Sequence, residues 1–162
     1  MYPVLRVRRN RFVLVITDHF SKWAEIIPLK NVSARIIADS LFDNYISRYG
    51  NAVKLISDNG PQFISDIFEN LSNKLGIRHV KSVVYRPQAN GTERMNRDLV
   101  QMIANYVNDQ HDTWDQLCEF AYAFRTAVKE TTGKTSAELF LGRKLITPFQ
   151  KLVMVLTELS LP

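Results

Sequence analysis

The N-terminal part of the chain contains two apolar runs separated by a short polar turn. The first, R-F-V-L-V-I-T-D, spans residues 11–18, and the second, W-A-E-I-I-P-L, begins at Trp23. Continuous β-branched and aliphatic residues are typical of a strand that is covered on both faces. Because only the turn H-F-S-K lies between the runs, the pattern predicts two strands that pair as an antiparallel hairpin.

Apolar residues then recur at helical spacing from Ser33 to Tyr49. This spacing predicts a helix with Ser33 as its N-cap and Gly50 as its terminator. A short strand, V-K-L-I-S, follows from Val53, and the turn D-N-G-P leads into a second helix that runs to Leu75. Proline in this turn can open the helix, since the first helical position needs no N–H donor.

The rest of the chain is predicted to be mainly helical. A strand, H-V-K-S-V-V, begins at His79, and the turn-rich loop Y-R-P-Q-A-N-G follows it. Helices are predicted over residues 93 to about 107, 113 to about 127, and 135 to 141. Strands that are joined through helices run parallel, so the whole order predicts an α/β fold with a mixed sheet flanked by helices.

Length and composition indicate one domain. With 162 residues, 46% of them hydrophobic, the chain can bury one substantial core. Cys118 is the single cysteine, which excludes an intrachain disulfide, and no histidine lies at zinc-ligand spacing from it. No apolar run approaches the roughly 20 residues that span a bilayer. We therefore expect an intracellular protein without a membrane partner.

The positive charge is concentrated at the start of the chain. Four of the 21 basic residues lie in the first eleven positions, which contain no acidic residue. The remainder of the chain contains 17 basic and 16 acidic residues. Two interpretations of this basic segment stay open. It is either a solvated strand or an arm that contacts phosphates.

Two acids stand where metal chemistry could occur. Asp58 follows a predicted strand at the edge where ligands gather in α/β folds, and Glu93 opens a predicted helix after a glycine-containing loop. Carboxylates from distant segments are suitable ligands for Mg²⁺ or Mn²⁺. The alternative is structural, because Asp in S-D-N-G is a common turn residue and Glu in a first helical turn favours the helix dipole.

Four ordered segments of the chain resemble the integrase core of Gypsy-like long-terminal-repeat retrotransposons. They are V-L-V-I-T-D-H-F-S-K-W from Val13, S-D-N-G-P-Q-F from Ser57, Y-R-P-Q-A-N-G-T-E-R-M-N-R from Tyr85, and T-T-G-K-T-S-A-E-L-F-L-G-R from Thr131. The resemblance covers roughly residues 10–148. It implies a ribonuclease H-like fold and descent from the D,D,E polynucleotidyl transferases, whose two metal ions act in DNA 3′-end processing and strand transfer.

The resemblance also assigns roles to individual residues. By motif, Asp58 matches the second catalytic aspartate and Glu93 matches the glutamate, so both are implied ligands of Mg²⁺ or Mn²⁺. The residues implied to contact DNA are Gln88, Asn90, Arg94 and Arg97. Arg97 lies one helical turn after Glu93, and a surface ion pair with that glutamate is its alternative role.

The first aspartate of the D,D,E set has no match. Residues 1–17 contain no Asp or Glu, and Asp18 belongs to a motif that is not catalytic in the family. We expect Asp18 to bond with Ser21 in the hairpin turn. Only Thr92 separates Gly91 from Glu93, where the family usually has two residues. The sequence thus predicts an integrase core with impaired catalysis or, alternatively, a non-catalytic module that binds nucleic acid or oligomerises.

The expected organisation has three parts. Residues 1–9 form an atypical basic segment in place of the opening strand, which is missing or replaced, residues 10–148 form the core-like domain, and residues 149–162 form a truncated tail. Family resemblance further implies retroelement and target DNA as partners, a possible homodimer, and a nuclear location. Two smaller predictions concern side chains: Cys118 should be a small buried residue, and His79 should be structural.

Overall fold

A computed structural model of the chain describes residues 10–81, 97–102, 118–130, 132–148 and 150–151. These residues form two compact units. The first contains residues 10–16, 25–81 and 97–102, and the second contains residues 17–24 and those from Cys118 onward. The predicted segment 1–9, the loop before Glu93 and most of the tail lie outside the described residues.

Helices and strands are interspersed along the described chain, as expected for an α/β fold. In chain order they are β1 (Phe12–Thr17), β2 (Ala24–Leu29), α1 (Ala34–Leu41), a π-helical turn (Phe42–Ile46), α2 (Ser47–Tyr49), β3 (Lys54–Ser57), α3 (Pro61–Ile64), α4 (Asp66–Lys74), β4 (Arg78–Lys81), α5 (which includes residues 97–102), α6 (Cys118–Thr126), β5 (Val128–Lys129), β6 (Lys134–Thr135) and α7 (Ser136–Leu141). In the described ranges, no helix has the length and apolar character of a membrane span.

Both predicted strand pairings are present in the first part of the chain. Hydrogen bonds of 2.9 Å from Arg11 N to Leu29 O and from Asp18 N to Trp23 O make β1 and β2 antiparallel. The strands β3 and β4 are parallel, with Ser57 opposite Lys81. Among the described residues, however, the strands form three two-stranded sheets, and a continuous mixed sheet would need pairings beyond them.

The helix predicted from Ser33 begins and ends as expected but is not uniform. The Ser33 hydroxyl accepts a bond from Ile36 N at 3.3 Å, and Gly50 ends the helix with a φ of 87°. A π-helical turn interrupts it, where Asn44 and Ser47 donate side-chain hydrogen bonds to backbone carbonyls four residues earlier. Such bonds compete with the regular helical ladder, which gives a physical reason for the irregularity.

The prediction of a single helix from Pro61 is wrong, because the structure has two helices there, α3 and α4. Ser65 has an extended backbone, with φ −72° and ψ 151°, and its hydroxyl accepts a bond from Phe68 N at 3.4 Å. Serine favours this N-cap geometry over a helix interior. The apolar spacing continued through Ser65 and therefore concealed the break.

The hydrophobic core of the first unit lies between its helices and the strands β1 to β3. Its buried residues are Leu29, Ile37, Ala38, Leu41, Ile46, Phe68 and Ile77. Leu14 and Leu55 pack at its border from the strands. The ring of Phe68, which is 1% exposed, meets Phe63 edge-on at 5.3 Å, so α3 and α4 are held together despite the break between them.

The second unit is organised around Trp23. Its indole ring stacks on Phe140 at 5.0 Å, and the Arg125 guanidinium lies 4.3 Å from the indole centroid. Arg125 also donates two hydrogen bonds to Ala24 O, at 3.0 and 2.8 Å. The predicted helix over 135–141 is confirmed, with Thr135 as its N-cap in a capping box with Glu138.

Candidate functional site

Asp58 lies at the carboxyl end of β3, where the sequence placed it. Its side chain is exposed, and its Oδ1 accepts a hydrogen bond from Gly60 N at 3.1 Å. This bond forms the turn that leads into α3. Within the described part of the chain, Oδ2 accepts no hydrogen bond. Asp58 thus serves the turn and still presents a carboxylate oxygen to solvent, so the turn role and a metal-binding role are compatible.

A hydrogen-bond chain connects Asp58 to the neighbouring strand. Ser57 Oγ lies 2.9 Å from Asp58 O and 2.8 Å from His79 Nε2. The His79 ring meets Phe68 edge-on at 5.0 Å. His79 therefore makes contacts within the fold, as a structural residue would, and the sequence prediction missed its link to the candidate site. The link depends on the register of β3 and β4, which no local sequence signal displays.

Burial of the imidazole lowers the pKa of His79 below its ordinary value of 6.5. The positive charge of Lys81 also lowers this pKa, while the negative charge of Glu69 opposes the change. Each effect has a simple cause, because burial and a nearby cation disfavour the protonated ring and an anion favours it. The imidazole is accordingly uncharged at neutral pH.

The lowered pKa of His79 predicts a loss of stability in mild acid. As the pH falls, the unfolded chain takes up this proton first, since its histidine keeps the ordinary pKa of about 6.5. The stabilisation is complete above about pH 6.5 and decreases below it. We expect the thermal midpoint to be lower at about pH 5.5 than at about pH 7.5, and we expect this difference to be smaller in His79→Gln. An equal or steeper fall in that variant would contradict this assignment.

Asp18 has the role expected from the sequence. Its Oδ2 accepts bonds from Ser21 N at 2.7 Å and from Ser21 Oγ at 2.6 Å. The Ser21 hydroxyl in turn accepts a bond from Trp23 N at 3.1 Å. The Asp18 carboxylate thus fastens the hairpin turn, as the prediction of a bond with Ser21 required.

Of the other predicted site residues, Arg97 is the one that lies among the described residues. Arg97 is exposed on α5, and both interpretations of it stay predictions because Glu93 lies outside the described residues. Gln88, Asn90 and Arg94 lie outside them too. Where side chains are described, no three of the His, Cys, Asp and Glu residues come close enough to hold a metal ion together. The pairing of Asp58 with Glu93 therefore stays a prediction.

The prediction that Cys118 is buried is wrong. Its thiol is free and exposed at the first described residue of α6. The buried residues of this helix are Phe120, Ala121 and Phe124. Successive helical residues are separated by about 100°, so Cys118 lies roughly on the opposite side of α6 from Phe120.

Comparison with known proteins gives matches in sequence and in structure. The family described as integrase core domain matches residues 2–87. The Gag-Pol polyprotein of feline leukemia virus is 40% identical over 94 residues, which are 57% of this chain and 6% of the polyprotein. This chain therefore spans only a small part of that relative.

Two solved structures with similar folds are catalytic core domains of integrases. The catalytic core domain of BIV integrase is 30% identical, with a TM-score of 0.63 over 80% of this chain and 85% of that one. The catalytic core domain of HTLV-2 integrase, described as a trimeric form in complex with magnesium, is 22% identical, with a TM-score of 0.64 over 79% of this chain and 83% of that one. The expected ribonuclease H-like class is thereby confirmed.

Proposed function

This chain belongs to the integrase core domain family, and we propose that it acts as the catalytic-core region of a retroelement DNA integrase of the Gypsy-like type. The observation that supports this most directly is the exposed Asp58 carboxylate at the end of a parallel strand, inside the region that matches the family. In the proposed reaction a DNA 3′-hydroxyl attacks a phosphodiester of target DNA, so that a new P–O bond forms, the P–O bond to the target 3′-oxygen breaks, and the target strand leaves with a 3′-hydroxyl. Work on chromosomal DNA implies a nuclear location.

Asp58 and Glu93 are the residues proposed to hold Mg²⁺ or Mn²⁺. Both supply carboxylate oxygens, which such hard cations prefer, and Asp58 fits this role because it is exposed and its Oδ2 accepts no hydrogen bond among the described residues. A bound cation would activate the attacking hydroxyl and stabilise the leaving oxygen. Arg94, Arg97 and the loop side chains of Gln88 and Asn90 would position the DNA through its phosphates.

Turnover by these 162 residues alone is proposed to be weak. The residues before Asp18 contain no acid, and Asp18 itself is engaged in its turn. These 162 residues thus contain matches for two of the three carboxylates that the family resemblance implies. Each factor of ten in rate corresponds to about 1.36 kcal/mol of transition-state stabilisation. A non-catalytic module that binds DNA or oligomerises is the alternative.

A strand-transfer assay with labelled duplex DNA and Mn²⁺ tests this function. We expect DNA binding that strengthens with Mn²⁺ and a small yield of joined product that requires the metal. DNA binding without any Mn²⁺ dependence would support the alternative module. A lack of both DNA binding and product would overturn the proposal. Sedimentation of the same sample tests the homodimer that the family resemblance implies.

Gly60 is predicted to be necessary for the geometry of the Asp58 turn. A Cβ at this position would lie 2.4 Å from Gln62 Nε2 and 3.0 Å from Asp58 Oδ1. The backbone of Gly60, with φ −57° and ψ 142°, suits alanine. Gly60→Ala should therefore change the free energy of unfolding by less than about 1 kcal/mol, yet displace the carboxylate and weaken Mn²⁺ binding about tenfold.

A double variant separates the two clashes of Gly60→Ala. Adding Gln62→Ala removes the flexible neighbour and leaves the contact with Asp58 Oδ1. Mn²⁺ titration, followed by the thermal midpoint, should show that the double variant still binds weakly. Full recovery of binding would assign the effect to Gln62 and contradict the prediction.

A further inference from the structure

His79 and Ser57 are side-chain neighbours on one face of the β3–β4 pair. The register places Leu55 opposite His79 and Ser57 opposite Lys81. In a parallel pair, directly opposed residues share a face, and so do residues two positions apart on one strand. Ser57 and His79 are thus diagonal neighbours, and the 2.8 Å separation of Oγ and Nε2 is a hydrogen-bonding distance.

Counting hydrogens fixes the direction of this chain of bonds. Asp58 O is a carbonyl oxygen and can only accept, so the single hydroxyl hydrogen of Ser57 is donated to it over 2.9 Å. The bond between Ser57 and His79 then needs a hydrogen on Nε2. The imidazole is therefore the Nε2–H tautomer, with the lone pair on Nδ1.

Aromatic packing limits the freedom of the imidazole to turn away. The ring of His79 meets Phe68 at 5.0 Å with an interplanar angle of 62°, and Phe68 meets Phe63 at 5.3 Å. Phe68 is almost fully buried, so this side of His79 rests on the core of the first unit. The core thereby orients the Nε2–H group toward Ser57.

Asp58 is consequently held at two points. Its carbonyl oxygen accepts the Ser57 hydroxyl, and its Oδ1 accepts Gly60 N at 3.1 Å. Rotation of the peptide unit after Asp58 would break the first bond, and rotation of its side chain would break the second. Together these bonds restrict the orientation of the Asp58 carboxylate.

We propose that His79, acting through Ser57, is a positioning residue that orients Asp58 for binding a divalent cation. This inference rests on the proposed function, because it takes Asp58 as a metal ligand. Partners behind a ligand commonly fix its orientation, and losing one weakens metal binding about 10–100-fold. His79 touches neither cation nor DNA in this role, and its effect passes entirely through the Ser57 hydroxyl.

Matched substitutions distinguish positioning from packing. His79→Phe keeps an aromatic ring against Phe68 and removes the N–H donor, whereas His79→Gln keeps a donor. Ser57→Ala removes the hydroxyl, and Ser57→Thr keeps it. We expect Mn²⁺ to bind about 10–100-fold more weakly to His79→Phe and Ser57→Ala, and with nearly unchanged affinity to His79→Gln and Ser57→Thr. The thermal midpoint without metal is measured in parallel for each variant.

The outcomes separate this inference from the function on which it rests. If Asp58→Asn loses Mn²⁺ binding while His79→Phe keeps it, positioning by His79 is overturned and the metal-binding role of Asp58 stands. If Asp58→Asn binds Mn²⁺ as tightly as the unmodified chain, both fail. Equal weakening in His79→Phe and His79→Gln would also overturn the positioning role, because the donor would then not matter.

A measurement on the unmodified chain avoids the question of whether a variant folds. The ¹⁵N spectrum of His79 above neutral pH should show a protonated Nε2 and an unprotonated Nδ1. The Nδ1–H tautomer would overturn the inferred direction of the hydrogen bonds and with it the positioning role.

Discussion

Replacing Asp58 with asparagine is expected to weaken Mn²⁺ binding by more than about 100-fold. This loss is larger than the one of about 10–100-fold that is expected when a hydrogen-bond partner of a metal ligand is removed. The substitution keeps the size and the acceptor oxygen of the side chain, so the bond from Gly60 N can persist. It removes the negative charge, which contributes strongly to the affinity for a hard cation. The Mn²⁺-dependent rise in thermal midpoint should disappear, together with any joined DNA product.

Asp39→Asn is a suitable control for this variant. Asp39 is an exposed aspartate on α1, where it forms a 3.9 Å ion pair with Arg35, which is also exposed. Its substitution removes the same charge from the same unit, and exposed ion pairs contribute little to stability. If both variants weaken Mn²⁺ binding equally, the effect reflects net charge, and the role of Asp58 as a ligand is contradicted.

Phe68→Ala is expected to reduce the free energy of unfolding by about 3–5 kcal/mol, the usual cost of truncating a buried phenylalanine. Phe68 is 1% exposed and lies in the core with edge-on contacts to Phe63 and His79. The vacated space would lie where Phe68 of α4 now meets Phe63 of α3 and His79 of β4. This loss is a large fraction of the 5–15 kcal/mol that is typical of a domain.

Urea unfolding measures this effect, with Phe42→Ala as its control. Phe42 is 44% exposed in the π-helical turn of the same unit, and its truncation should cost about 1 kcal/mol or less. Similar losses for the two variants would show that Phe68 is not the centre of this core. Phe68→Leu should give an intermediate value, because it restores part of the lost volume.

Local signals in the sequence identified several features correctly. Ser33 and Gly50 bound the long helical segment, Thr135 begins the last helix, and Asp18 bonds Ser21 within the hairpin turn. Each of these depends on groups no more than a few residues apart, so the residue types alone carry the information. The motif around Asp58 likewise predicted its place at the end of a strand.

Features that compete with local spacing were mispredicted. The apolar period continues through Ser65 and through the π-helical turn, although the backbone departs from a regular α-helix at both. Cys118 was expected to be buried because of its residue type, but the buried face of α6 is set by Phe120 and Phe124. In each case a hydrogen bond or a packing direction overrode the average preference of the residue.

The sequence by itself determined the family, the order of the first four strands and the position of Asp58 at a strand end. Only the tertiary structure decided what holds Asp58 there. His79 reaches Ser57 because two strands pair in one parallel register and because Phe68 supports the imidazole from the core. Such contacts join residues far apart in the chain, and their partners are selected by how whole elements pack rather than by any neighbouring residue.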